Sequence, residues 1–395
     1  MARILIFTGK GGVGKTSVAA AHARLSAGEG VKTLLVSTDM AHNLSDLFQC
    51  PVGREEVQIT ENLYGLEIDP DYMLEHEYAH LGESITAMLS QGSEKQEVSL
   101  GDTVMIPGMD ELFALLKILD LYEQGEYQRI IIDCAPTGET LSMLKMPELF
   151  CWYMEKFFPI GKAAMRVLSP VSNKLFKIQL PDKTAMSEIE KMFVRLIKLQ
   201  ELLKNREVTS LRLVTLPEKM VVEETKRNYM YLNLYGYYVD GIYLNRVLPE
   251  EADNPFFREW EEIQGRYIQE LKEVFQGIPM LSIPWYDSEL RGLEALDRVC
   301  REVLAGHPVF SIIEHQAGEC YEKTDTGYRL LLPVPLLKKE KLQVYQSATD
   351  VVLKVGNFKR NIPIPNTLRG WEISSAGIQE QTLYVDFRKE ERSGL

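Results

Sequence analysis

Paired cysteine, excess positive charge and long apolar runs are all missing from this chain of 395 residues. Its five cysteines, at positions 50, 134, 151, 300 and 320, never fall at C-x-x-C spacing, so no zinc clip or thioredoxin-type pair is expected. Their odd number and loose spacing suit a reducing compartment and small buried side chains. Acidic residues outnumber basic ones by 57 to 44, giving a formal net charge of −13. That is not the basic footprint of a nucleic-acid binder, and the chain as a whole gains nothing from an anionic membrane surface. No stretch of about 18 uncharged apolar residues occurs, so stable membrane insertion is not expected. The first apolar run, Arg3 to Phe7, is too short for a signal peptide and leads straight into glycines. These absences point to the cytoplasm or, on the same residues, to an organelle stroma.

What is present begins with short buried-strand patterns, each ending in something polar. They are RILIF (3–7), KTLLVSTD (32–39), RIIIDCAP (129–136), LRLVTLPE (211–218), DGIYLNRV (240–247) and IPMLSIP (278–284). Helical patterns lie between several of them, which predicts an α/β fold with a parallel sheet over residues 1–313. Ligands of such sheets bind outside the carboxyl ends of the strands. Those ends carry Gly9, Asp39, Asp133, Glu218, Asn245 and Pro284. Two long intervals, about 70–125 and 148–205, read as a helical subdomain; residues 183–207 repeat apolar positions at a period of about 3.6. Residues 314–326 read as a polar linker. Beyond it, KLQVYQ, DVVLKV and QTLYVDFR alternate in period two, predicting a small all-β sandwich over 327–390.

The sharpest motif is GKGGVGKT, Gly9 to Thr16, between a predicted strand and a predicted helix. Glycines let backbone N–H groups close around phosphate oxygens, and the following helix N-terminus adds a favourable dipole. The expected nucleotide contacts are Gly9, Lys10, Gly11, Gly12, Val13, Gly14, Lys15, Thr16 and Ser17. Lys15 would reach the β- and γ-phosphates of ATP, and Thr16 would hold Mg²⁺. Lys10 is a second lysine at the opposite end of the loop and should point away from its own nucleotide. It either sits in solvent or serves the facing site of a second subunit, neutralising transition-state charge in trans as an arginine finger does.

GKGGVGKT, with its signature lysine, resembles the variant phosphate loop of partition ATPases, nitrogenase iron proteins and the arsenical-pump and tail-anchored-protein-targeting ATPases. Further stretches resemble the last group: TDMAHNLSD (38–46) its first switch, MIPGMDEL (105–112) a helix start, and DCAPTGETLSMLKMPE (133–148) its second switch. NRVLPE (245–250) and IPWYDSELRGLEAL (283–296) resemble its adenine-contacting segments, so the likeness spans about residues 1–310. Two positions depart from that pattern: Met40 replaces a switch proline, and Glu139 stands where the family commonly has histidine.

The resemblance implies roles. Asp39 would orient the attacking water, although a residue so placed could instead cap a helix. Asp133, at the end of an apolar run, would hold Mg²⁺ through water. Asn245, with one donor and one acceptor, would meet the adenine edge, Pro284 and its loop would pack on the base, and Glu218 would touch a nucleotide, in one arrangement across a dimer. The second switch, Pro136 to Gly138, would pass γ-phosphate contact to the helices beyond it.

Ten of the fifteen methionines lie between residues 73 and 192, around the aromatic stretch ELFCWYMEKFFPIGKAAM (148–165). Methionine is overused at adaptable binding surfaces and is equally at home in a core. With the resemblance, this predicts a groove that shields hydrophobic helical client proteins on a homodimer, with a transient membrane receptor as a further partner. The alternatives are an arsenite-stimulated ATPase driving a metalloid pump and a partition or placement ATPase. The first often has two nucleotide domains in one chain and uses cysteines for the metalloid, and only one phosphate loop occurs here. Partition ATPases that bind DNA need basic surface. Residues 327–390, with VGNFKRNIPIPNTL (355–368), resemble the α-crystallin-like sandwich appended to some members.

Overall fold

In a computed structural model, residues 2–39, 43–69, 72–73, 76, 109–157, 188–249, 255–313, 318–347, 349–356 and 358–389 are described. The chain divides into two compact units: Met1–Phe158 with Met186–Asn228 and Tyr238–Ile313, and Pro159–Ala185 with Tyr229–Tyr237 and Glu314–Leu395.

In the first unit the apolar runs become strands β1 (Arg3–Thr8), β2 (Thr33–Ser37), β3 (Val57–Thr60), β4 (Leu63–Glu67), β5 (Arg129–Asp133), β6 (Thr209–Thr215), β7 (Val239–Val247) and β8 (Met280–Pro284). They form one sheet in the order β3-β4-β2-β5-β1-β6-β7-β8, with every neighbour parallel except the edge pair β3–β4. Every residue of β1 and β6 is buried, as expected of central strands covered on both faces. The sequence reading missed β3 and β4. NLYGLEID is short, carries Gly65 in its middle, and owes its strand state to pairing with β2 rather than to an apolar run of its own.

The helices are α1 (Lys15–Gly28), α2 (Leu44–Phe48), α3 (Met109–Gln124), α4 (Thr137–Phe157), α5 (Glu188–Lys204), α6 (Lys219–Leu234), α7 (Pro255–Val274) and α8 (Gly292–Val299). In α3–α5, the described part of the helical intervals, Phe113, Leu115, Leu144, Phe193 and Leu196 are buried. Ion pairs Arg195–Asp120 (2.6 Å) and Lys198–Glu123 (2.7 Å) join α5 to α3, and Lys204–Glu148 (3.1 Å) joins α5 to α4. Helix α4 runs through Pro147 without ending there. Met73, Met143 and Met192 are buried, the behaviour of core methionines. Met88, Met105, Met165 and Met186 lie outside the described residues, as do the side chains of Met109 and Met154.

A buried polar chain fixes α1 on the sheet. Arg212 Nε donates to Asp240 Oδ1 (2.6 Å), Arg212 Nη1 to the Tyr243 hydroxyl (2.7 Å), and Arg3 Nη2 to Asp240 Oδ2 (3.1 Å). His22 bridges Tyr243 (2.7 Å) and the Val18 carbonyl (2.7 Å). A carbonyl can only accept, so Nδ1 carries the proton, Nε2 accepts from the tyrosine and the tyrosine accepts from Arg212. Burial, then the Arg212 charge, push the imidazole pKa down to about 3, consistent with this neutral form.

The second unit is a pair of antiparallel sheets. Strands β9 (Cys320–Thr324), β10 (Gly327–Pro333), β11 (Leu342–Gln346), β12 (Asp350–Val355), β13 (Phe358–Pro363), β14 (Trp371–Gln379) and β15 (Thr382–Lys389) pair as β14-β15-β10-β9 and β11-β12-β13. Alternate residues Leu330, Leu332, Val351, Leu353, Leu383 and Val385 fill the space between them together with Leu234. Strand β9 corrects the expected linker: residues 320–324 pair with β10 through a tight hairpin, and their polar composition reflects an edge strand rather than a loop.

Candidate nucleotide site

The loop between β1 and α1 has the backbone its glycines permit. Gly12 (φ +79°) and Gly14 (φ +89°) lie in the left-handed region. A Cβ on Gly9 would stand 2.2 Å from the Val214 carbonyl oxygen, and one on Gly14 would stand 2.3 Å from Asn245 Nδ2. Helix α1 starts at Lys15 with no side-chain cap and no acidic residue in its first turn, which leaves its N-terminal N–H groups to an anion. The buried Lys15 ammonium donates to the Lys10 carbonyl (3.3 Å), so it lies within the curve of the loop. Gly11 and Val13, the latter fully buried, complete the turn, and Thr16 and Ser17 follow Lys15 in the first turn of α1.

Lys10 points elsewhere. Its Nζ is 3.9 Å from Glu224 Oε2 on α6, and both side chains are about one-third exposed.

The ends of β2, β5 and β1 are laced together beside this loop. Thr38 N–H donates to the Asp133 carbonyl (3.0 Å) and Cys134 N–H to the Phe7 carbonyl (3.1 Å). Five buried oxygens on these ends and at the start of α4 have no hydrogen-bond partner of ordinary geometry: Thr8 Oγ1, Thr38 Oγ1, both Asp133 carboxylate oxygens and Thr137 Oγ1. Native proteins rarely leave such groups unmet, so their concentration is the mark of a ligand position. Burial raises the Asp133 pKa to about 7; the Thr16 hydroxyl and Lys15 pull it down, and Asp39 pushes it up. The Thr16 hydroxyl therefore acts on Asp133 electrostatically without completing a well-formed bond to either oxygen. Lys15, Thr16 and Asp39 are each within electrostatic reach of Asp133. One carboxylate and several hydroxyls, rather than a closed cage, fit Mg²⁺, which keeps its waters and shares phosphate oxygens.

Asp39 follows β2, its N–H donating to Ser37 Oγ (3.2 Å). Glu67, at the end of β4, holds the far side of the same switch. Its Oε1 accepts from the N–H of Leu44, the first residue of α2 (2.9 Å), while Ile68 N–H donates to the Ser37 carbonyl (2.9 Å). The Asp39 segment is thus held at both ends by the strand that the sequence reading missed. With β4 unseen, Glu67 carried no signal; Thr8 and Thr38, one residue before Gly9 and Asp39, were open to the same strand-end argument.

Asn245 touches the phosphate loop from the end of β7. Its Nδ2 donates to the Val13 carbonyl (2.8 Å) and its Oδ1 accepts from Arg246 N–H (2.9 Å), so it braces the phosphate loop from β7. Pro284, half-buried, ends β8 opposite Val247, and the next residue, Trp285, is 55% exposed. Glu218 is exposed at the start of α6, beside Met220. The structure brings neither Glu218 nor Pro284 to the cluster around Asp133.

A parallel sheet whose first strand opens into a glycine loop and an uncapped helix, with unmet carboxylate oxygens on the adjoining strand end, defines a phosphate-loop nucleotide hydrolase. Comparison with known proteins narrows this. Residues 2–305 match the family model described as anion-transporting ATPase, and residues 325–387 match the HSP20-like domain found in ArsA. The chain belongs to the ArsA ATPase family and is an ATP-hydrolysing enzyme. A protein of Aquifex aeolicus, named provisionally as arsenical pump-driving ATPase 1, is 31% identical over 97% of this chain and 99% of its own length. A provisionally named arsenical pump-driving ATPase of Chlorobaculum tepidum is 32% identical over 99% of this chain and 97% of its own length. ATPase GET3C of Arabidopsis thaliana is 31% identical over 73% of this chain and 78% of its own length.

Proposed function

We propose that the chain is a homodimeric, Mg²⁺-dependent ATPase that couples hydrolysis to the handling of hydrophobic helical clients. The observation that carries this is α4. It starts with Thr137 at the cluster of unmet oxygens and continues to Phe157 among the helices of the bundle, so one element belongs to both the site and the bundle. Lys15 and the loop N–H groups bind the phosphates, Thr16 and Asp133 hold the cation, and Asp39 orients the attacking water. The cation, when bound, offsets charge on the phosphate oxygens. Lys10 exchanges Glu224 for the phosphates of a second subunit on dimerisation. The aromatic stretch 148–165, which lies outside the described residues from 158 onward, would carry most of the client surface.

The test is Asp39→Asn co-expressed with a tagged membrane-anchor helix. Hydrolysis should fall at least about a hundredfold with ATP binding kept, and the helix should co-elute as a soluble complex. Wild-type turnover would remove Asp39 from its role. Failure to capture the helix, in a variant shown to bind ATP, would remove the client. A second reading, an arsenite-stimulated ATPase, draws on the names of the Aquifex and Chlorobaculum relatives. Its signature would be turnover that rises with arsenite.

A further inference from the structure

The net charge of −13 conceals an opposite local balance. Between Cys320 and Lys389, basic side chains outnumber acidic ones by eleven to seven. Five lysines of this unit converge on one end of the β11-β12-β13 sheet. Lys338, Lys339 and Lys341 lie in the turn leading into β11, which pairs through Leu342 with Val355 at the end of β12. Lys354 and Lys359 are directly opposite each other across β12 and β13. All five are exposed, and none forms an ion pair among the described residues; Glu340 is the one acid within the group. Like charges opposed across a ladder are destabilising, and no carboxylate among the described residues forms an ion pair with either lysine.

Apolar side chains accompany the charge. Leu336, two residues before the first lysine, is 37% exposed on a backbone with φ +64°. Tyr345 is 46% exposed on the outer sheet face that also carries Lys354 and Lys359, because it opposes Val352 in the same register. We infer that this end of the sandwich is a docking surface for an anionic membrane. The side chains suit that occupant. Lysines respond to a diffuse field, whereas discrete phosphate recognition favours the fork of arginine. An exposed leucine and tyrosine beside polybasic charge match the headgroup boundary, where each basic residue adds to attraction within a Debye length of about 8 Å. At that range the acidic charge elsewhere on the chain is largely screened. The general exclusion of anionic surfaces drawn from net charge therefore does not hold for this end of the sandwich.

The experiment is flotation of the full chain with vesicles of phosphatidylcholine alone or mixed with phosphatidylglycerol, at an ionic strength of about 0.15 M. The wild type should float only with the mixed vesicles and be released by high salt. The triple variant Lys339→Glu, Lys354→Glu, Lys359→Glu should partition about a hundredfold more weakly, with ATP turnover and thermal midpoint unchanged. If that variant folds poorly, Lys354→Gln with Lys359→Gln should still weaken partitioning about tenfold. A wild type that stays free of mixed vesicles, or a folded charge variant that floats as well as wild type, overturns the inference. So does binding to a polyglutamate peptide without binding to vesicles, which would make the occupant an acidic protein.

Discussion

The two units treat buried polarity in opposite ways. In the first unit, half of the unmet buried side-chain atoms of the described residues, five oxygens, lie on the ends of β1, β2 and β5 and the start of α4, a costly arrangement without a ligand. Among the described residues of the sandwich the side-chain atoms left unmet are Arg360 Nε and Asn361 Oδ1, and Arg360 spends its other nitrogens on Glu319 (2.5 Å) and the Leu234 carbonyl (2.5 Å). Its notable charge lies outside, on exposed lysines. A parallel sheet points all its strand ends one way and can collect chemistry there. An antiparallel one alternates its ends and is left with its faces and edges. The first unit is therefore built around a ligand within the fold, and the second presents a surface to one outside it.

Two glycine substitutions test that contrast most strongly. Gly14→Ala places a methyl group 2.3 Å from Asn245 Nδ2 at φ +89°, so the loop must move, and ATP turnover should fall at least about a hundredfold. Gly327→Ala places its methyl group 2.0 Å from the Phe387 carbonyl oxygen, at the β9–β10 hairpin. It should destabilise the sandwich by about 2 kcal/mol, seen as faster hydrogen exchange at Leu383 and Val385, with turnover held. Equal loss of turnover in both variants would erase the distinction between the units.

Glu67→Ala should have a smaller effect, lowering kcat about tenfold with KM for ATP little changed, because it loosens the Asp39 segment without touching the phosphate loop. Glu67→Gln, which retains an oxygen for Leu44 N–H, should recover most of the rate; a uniform loss in both would point to general misfolding.

The smallest effect at neutral pH concerns His22. Its pKa is about 3 in the fold and about 6.5 in an unfolded chain, so the unfolded state binds the extra proton between those values. The stability contributed by the neutral imidazole is complete above about pH 6.5 and is lost as pH falls toward about 3. Chemical denaturation of His22→Gln should show a flatter dependence in that window, and an unchanged slope would mean that another group governs it.

Much of this arrangement was legible in the residues. Six strands, the glycine loop, Asp39 and Asp133 all sit where an apolar run meets a polar end, a local pattern. The expected roles of Asp39 and Asp133 remain proposals. What was not legible depends on pairing. β4 is a strand because β2 lies beside it, and β9 because β10 folds back on it. Asn245 braces the loop because β7 ends next to it, a contact between residues far apart in the chain. Glu67 was hidden for the same reason.

Pro147 gives α4 a property that its continuous path conceals. Proline has no N–H, so the Met143 carbonyl loses its partner one turn back, and the ring crowds that carbonyl. The helix that begins at Thr137 is therefore easiest to bend partway along. A nudge at its first turn need not travel as a push along a rod; it can be spent as a swing of the segment after the joint, residues 148–157. That makes the pivot, rather than either end, the place where stiffness can be tuned by one residue.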